Sequence, residues 1–160
     1  MGVTMNSMGL RVEPTKVHYV ICEITDGSVE LISKGYIAIA KSLTNPDKLR
    51  NLRNDVISLL HEFKIGSFGL KTIENNAQSV NHFRLNAEGV LQELLSECDI
   101  SNTFSGNIVE LSGVFGVKRK DLKESIKNGN DLVGFGEFWG GLTGPQRECT
   151  LVSVASSKAK

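Results

Sequence analysis

Three consecutive apolar runs between residues 10 and 40 constrain the fold more than any other feature of this sequence. The first run ends at Pro14, and Asp26-Gly27 separates the second from the third. Asp-Gly between two apolar runs is a strong signal for a tight β-hairpin. The pattern therefore predicts a meander of antiparallel strands at residues 9–13, 17–25 and 29–40.

Helices and strands alternate after the meander. Thr44-Asn45-Pro46 supplies a capping residue and a proline in the first helical turn, and apolar residues then recur at helical spacing up to Phe63. Gly89 lies inside the second predicted helix, and we expect it to mark close approach to a neighbouring element. The remaining patterns predict a strand at 67–73, a helix from Ser79, a strand at 107–112, a basic helix over 117–128 and a closing helix over 146–156.

This order of elements predicts an α/β fold. Three antiparallel strands followed by alternating helices and strands are typical of a mixed five-stranded sheet with helices on both faces. The length of 160 residues suits one domain. We place that domain at residues 9–156, between a flexible N-terminus at 1–8 and a frayed tail at 157–160.

The composition excludes a strong global attraction to polyanions. The chain carries 18 basic and 18 acidic residues, so its formal net charge is zero. Its three cysteines lie far apart, without metal-ligand spacing, and this usage predicts a reducing, cytoplasmic environment. No apolar run approaches the ~20 residues that a membrane span needs.

Three segments resemble RuvC-like Holliday junction resolvases, a branch of the RNase H-like superfamily. Residues 9–24 resemble their first strand and hairpin, with Glu13 at the position of an acidic residue. Residues 64–88 resemble their fourth strand and the following loop and helix. Residues 145–155 resemble their last helix, with Glu148 near the final acids. The resemblance covers most of the chain, is closest to short RuvC-like proteins of unestablished function, and implies an RNase H-like fold.

The resemblance also implies a nuclease site. Such a site needs three or four carboxylates that converge on Mg²⁺ or Mn²⁺ ions about 3.5–4 Å apart. Glu13, Glu74 and Glu148 are the candidate catalytic and metal-ligating residues. Lys71 stands where a family member would carry its second acid, and its ammonium would compete with a metal ion. The implied activity is therefore a weak or inactive magnesium-dependent nuclease for branched or double-stranded DNA.

Each candidate acid also has an ordinary structural explanation. Glu13 precedes Pro14 and is typical of a turn, and Glu74 begins a polar loop. Glu148 lies near a helix N-terminus, where a carboxylate is favourable whatever the function. The alternative function is a non-catalytic RNase H-fold protein that serves as a structural or protein-interaction subunit without a cofactor. The near-neutral charge and Lys71 favour that alternative.

Two further groups are candidates for binding. Polar side chains of the loop after the fourth strand are able to hydrogen-bond phosphates or bases; they are Asn75, Asn76 and Gln78. Four basic residues are candidates for nucleic-acid contact: Lys71, Lys118, Arg119 and Lys120. For the last three, which lie on the predicted basic helix, the alternative is an ordinary solvated helix face.

Aromatic residues punctuate a glycine-rich segment at 134–142. Phe135, Phe138 and Trp139 are able to stack on bases, to pack over the sheet, or to form an interface. We predict that a second copy of the chain or a partner protein covers Phe138 or Trp139.

Overall fold

The predicted meander forms the larger part of a five-stranded mixed sheet. A computed structural model describes residues 2–74, 79 and 81–158, so the loop residues Asn75, Asn76 and Gln78 lie outside the described part. The strands are β1 (Thr4–Val12), β2 (Lys16–Thr25), β3 (Ser28–Ala38), β4 (Ser67–Lys71) and β5 (Asn102–Gly106). The helices are α1 (Asn45–Glu62), α2 (His82–Glu97), α3 (Ile108–Phe115), α4 (Arg119–Asn128) and α5 (Gly144–Lys158), with a 3-10 turn at Glu137–Gly141.

The strand order is β3-β2-β1-β4-β5, which confirms the predicted meander within a mixed five-stranded sheet. The first three strands are antiparallel in sequence order, and β4 is parallel to β1. Asp26 and Gly27 both have positive φ, at 49° and 82°, which is the conformation that a two-residue hairpin with the native strand twist requires. Because β1, β3, β4 and β5 share one direction, their carboxyl ends lie at one edge of the sheet.

Helices cover both faces of the sheet and create two cores. The first core lies between the sheet and α1 and α2, around Phe68 and Leu91. The second core lies between the sheet and α3, α4 and α5, around Leu151 and Trp139. The fold is therefore the α/β arrangement with helices on both faces that the sequence predicts.

Helix α5 lies directly on the backbones of β1 and β4. A Cβ atom added at Gly9 would be 1.8 Å from the Cys149 carbonyl oxygen, and one at Gly69 would be 2.1 Å from that of Val152. Ser7 strengthens the contact because its hydroxyl donates to the Ser153 carbonyl oxygen at 2.6 Å. Small residues on two neighbouring strands thus set the position of α5.

The predicted fifth strand is wrong. Residues 107–112 begin α3, whereas the strand β5 precedes them at Asn102–Gly106. The reason is a capping box: the Asn107 side chain accepts from the backbone of Val109, and the Glu110 side chain reaches back to the Asn107 N–H. These local hydrogen bonds favour a helix despite the β-branched residues of the segment.

Two other local expectations fail. Strand β1 begins at Thr4 rather than residue 9, and Met8 is fully buried, so the expected flexible N-terminus does not extend to residue 8. A Cβ atom at Gly89 would meet no heavy atom within 4 Å, so Gly89 marks no close approach.

The aromatic segment packs inside the chain itself. Trp139 has no exposed surface, and Phe135 contacts it edge-to-face with ring centroids 5.6 Å apart. Phe138 also packs against the second core. The prediction that a partner covers Trp139 is therefore wrong.

Across the described residues, no helix combines the length and the apolar character of a membrane span.

Candidate functional site

One row of paired residues crosses the whole sheet where β1 and β4 end. Residues directly opposite each other in neighbouring strands project from the same face. The strand register places them in the order Tyr36 (β3), His18 (β2), Arg11 (β1), Lys71 (β4) and Gly106 (β5). This cross-strand row lies on the face that α5 covers, at the N-terminal end of that helix.

The three predicted acids converge on this row, but a cation separates each from the next. Arg11 Nη1 is 2.9 Å from Glu13 Oε2, and Arg11 Nε is 3.4 Å from Glu148 Oε1. Lys71 Nζ is 3.2 Å from Glu148 Oε2 and 2.5 Å from Glu74 Oε2. The structure therefore brings the three candidate acids together, with the expected Lys71 and also Arg11 between them.

Lys71 is held more firmly than an ordinary surface lysine. Its side chain is 3% exposed, and its ammonium also donates to the Thr72 carbonyl oxygen at 2.9 Å. It belongs to an internal network and presents little surface to an external phosphate. The predicted nucleic-acid contact at Lys71 therefore has no support in this geometry.

Glu74 and Glu88 fix the segment that follows β4. The Glu74 carboxylate accepts from the backbone N–H of Ile108, at 3.2 Å, where α3 begins and a negative charge is favourable. Glu88, almost fully buried, accepts from the Ile73 N–H at 3.0 Å and from Arg84 Nε at 2.9 Å. Both carboxylates thus have structural hydrogen bonds of their own.

Glu13 is ionised more readily than an ordinary glutamate. Partial burial alone would raise its pKa, but the hydrogen bond and charge of His18, with Arg11 and Lys16, outweigh burial and lower the pKa below 4.5. His18 Nε2 lies 2.7 Å from Glu13 Oε1. The carboxylate therefore connects two members of the cross-strand row.

This lowered pKa predicts a pH dependence of stability. A carboxyl group with a lower pKa in the folded state stabilises the fold above its unfolded pKa, and the contribution disappears as the pH falls through the folded value. We expect Glu13→Gln to be less stable than wild type at neutral pH. The difference should shrink at pH values well below 4.5. Urea unfolding of both proteins across this range measures it, and a constant difference would contradict the assignment.

The cluster does not fit a pair of magnesium ions. Lys71 and Arg11 already occupy the space between the carboxylates on which two metal ions would have to converge. Within the described ranges, no group of three or more histidine, cysteine, aspartate or glutamate side chains has the geometry of a metal site. The acids here form an ion-pair network with their neighbouring cations.

A cleft of about 390 Å³ opens beside the cluster. Its walls include Lys71 and Glu148 from the network, Arg84 from α2 and Lys123 from α4. Ile126 of α4 lines the same cleft, so one face of this basic helix points toward it.

Exposed cations follow that face of α4 at intervals of four residues, which places them on one stripe. They are Arg119, Lys123 and Lys127. Lys118 caps the helix and Lys120 lies in its first turn, both exposed. The predicted basic candidates of this region are thus available to a ligand, and Lys123 is the one that borders the cleft.

Arg11 and the small residues that contact α5 were not among the sequence candidates, yet the sequence carries a signal for them. Residues 7–11 read SMGLR and residues 67–71 read SFGLK. In the sheet these two segments pair in register, serine with serine, glycine with glycine and Arg11 with Lys71. The small residues receive α5 and the basic residues meet Glu148, so the repeated pattern encodes both features.

Comparison of the folded chain with solved structures gives significant matches, although no known family and no curated protein matches the sequence. RuvC of Thermus thermophilus superposes with a TM-score of 0.69 at 9% identity, over 94% of this chain and 92% of that chain. The same protein in complex with a Holliday junction substrate gives a TM-score of 0.66 at 9% identity, over 94% and 92%. The yeast mitochondrial Holliday junction resolvase gives 0.51 at 12% identity, over 93% and 76%.

At these identities the similarity concerns the fold. The five-stranded mixed sheet and the helices on both faces agree with the expectation from the sequence. The chain therefore has an RNase H-like fold in the form found in RuvC and other Holliday junction resolvases.

Proposed function

We propose that this chain binds branched or double-stranded DNA without metal-dependent cleavage. The observation that carries the proposal is the ion-pair network, in which Arg11 and Lys71 separate the three glutamates of the cluster. The fold similarity to RuvC and the basic face of α4 support the binding part of the proposal.

The electrostatics of the network oppose a divalent ion. An ammonium about 4 Å from a doubly charged ion is repelled by about 8 kcal/mol at an effective dielectric of about 20. The carboxylates also have their negative charge offset by ion pairs of 2.5–3.4 Å. A metal ion would therefore have to displace the Lys71 ammonium from its ion pairs with Glu74 and Glu148.

The surface around the cleft supports contact with phosphates. The net charge of zero provides no general attraction, so any binding must depend on a local basic surface. Arg119, Lys123 and Lys127 provide one, and Lys123 borders the cleft. RuvC of similar fold has been solved with a Holliday junction substrate, so a branched duplex is the first substrate class to test.

Charge reversal on α4 tests the binding surface. We expect Lys123→Glu combined with Lys127→Glu to weaken binding to a four-way junction and to reduce the slope of log K against log salt by about 2, because two phosphate contacts are lost. Fluorescence anisotropy over a salt series, in the presence of a chelator, measures both quantities.

Lys64→Glu is the control for position. Lys64 is exposed and precedes β4, so it lies at the end of the sheet opposite the cleft. Its reversal changes the net charge in the same direction, by half as much as the double variant, and should leave the salt slope unchanged. Equal losses in both variants would contradict a localised surface. Absence of binding by the wild type at low salt would instead favour the structural or protein-interaction alternative.

A further inference from the structure

An open area of the sheet continues the cross-strand row beyond α5. Tyr36 is 61% exposed there, and Lys16 Nζ lies 5.1 Å from the centroid of its ring. Lys34, two residues before Tyr36 on the same strand, is exposed and projects from the same face. We propose that this area binds an unpaired nucleobase with its flanking phosphates, an inference that deepens the proposed function and rests on it.

A β-bulge places Tyr36 on this face. Ile21 pairs with Ser33 and Cys22 pairs with Leu31, so Ile32 is an extra residue in β3. An extra residue exchanges the two faces of the strand beyond it. Without the bulge, Tyr36 would project toward the α1 side of the sheet. With the bulge it lies opposite His18, in line with the candidate site.

The charges around Tyr36 favour an anionic ligand. His18 and Arg11, the next members of the row, are both bound to Glu13. Two cations remain near the aromatic ring: Lys16, whose ammonium lies over one face of the ring, and Lys34, which projects from the same face of the sheet. Phosphates on either side of a stacked base would meet these two ammonium groups.

The exposed ring selects the class of nucleic acid. Stacking of a base on an aromatic side chain contributes about 1–3 kcal/mol and tolerates any base, because every base has a π-face. A base inside an intact duplex is already stacked on its neighbours and cannot reach a ring on the sheet surface. The ligand is therefore a single-stranded segment or an unpaired base of a branched DNA. Its backbone would run along the row toward the cleft.

Substitutions at Tyr36 test the stacking contact, with anisotropy of a labelled oligothymidylate and of a duplex as the two binding measurements. We expect Tyr36→Ala to weaken single-strand binding by roughly 5- to 150-fold, which corresponds to the loss of one stacked base. Tyr36→Phe keeps the ring and should bind within about 2-fold of wild type. Leu132→Ala removes an exposed apolar side chain elsewhere, 44% exposed in the native chain, and should have no effect.

A fluorescent reporter gives a second readout. The chain has one tryptophan, and Trp139 is fully buried, so a Tyr36→Trp variant adds one exposed indole. Its emission should be quenched by the single strand, whereas that of the wild type should not change.

The two binding measurements distinguish failure of this inference from failure of the proposed function. Single-strand binding that is unchanged in Tyr36→Ala, with normal duplex binding, would overturn this inference and leave the proposed function standing. Absence of binding to both ligands by the wild type would overturn both.

Discussion

Replacing Glu74 and Glu148 together by glutamine should destabilise the protein by about 3–5 kcal/mol. Lys71 is 3% exposed, and these two carboxylates provide its counter-charges at 2.5 and 3.2 Å. The double substitution keeps the shape of both side chains and leaves the ammonium buried without compensation. Chemical unfolding of wild type and the Glu74→Gln, Glu148→Gln variant measures the loss.

A third substitution distinguishes the cost of the buried Lys71 charge from the cost of altered packing. Adding Lys71→Met to the double variant removes the uncompensated charge, and we expect it to recover part of the lost stability, because a fully neutral replacement is often tolerated. A double variant within about 1 kcal/mol of wild type, or a triple variant less stable than the double, would contradict a structural ion-pair network at this position.

Gly9→Ala should destabilise the fold at least as strongly. The added Cβ would lie 1.8 Å from the carbonyl oxygen and 2.7 Å from the carbonyl carbon of Cys149. These are backbone atoms of a buried helix, so α5 would have to move away from β1 and open the second core. We expect a loss of several kcal/mol, typical of severe overpacking, or failure to fold. Thermal or urea unfolding measures the effect.

Gly89→Ala is the matched control for that substitution. Its Cβ would meet no heavy atom within 4 Å, and Gly89 lies inside α2, where alanine is favoured over glycine by about 1 kcal/mol. We therefore expect a modest stabilisation. If both glycine substitutions had small effects, close contact between α5 and the sheet would not be what positions the helix.

The parts of the fold with strong local signals are predictable from the sequence. Asp26-Gly27 determines the first hairpin, and Thr44 with Pro46 starts α1 as expected, with the Thr44 side chain accepting from the Asp47 N–H. The error at residues 107–112 has a local cause as well. Asn107 and Glu110 have the spacing of a capping box, a signal that outweighs the strand propensity of the two residues between them.

The candidate site is only partly predictable, because it depends on strand register. The resemblance to RuvC-like resolvases groups Glu13, Glu74 and Glu148, and in the structure each of them contacts Arg11 or Lys71. The position of Arg11 between two of them follows from its pairing with Lys71 across β1 and β4, which no single segment reveals. The burial of Trp139 likewise depends on long-range packing against α5 and the sheet.

We propose that cations of the chain take the place of metal ions among the three glutamates. Titration calorimetry with Mg²⁺ and Mn²⁺, on wild type and Glu13→Ala, combined with a junction-cleavage assay, tests it most directly. We predict no saturable metal binding that depends on Glu13, and a junction that is bound but remains intact. Tight metal binding and rapid cleavage in wild type, both lost in Glu13→Ala, would contradict the account.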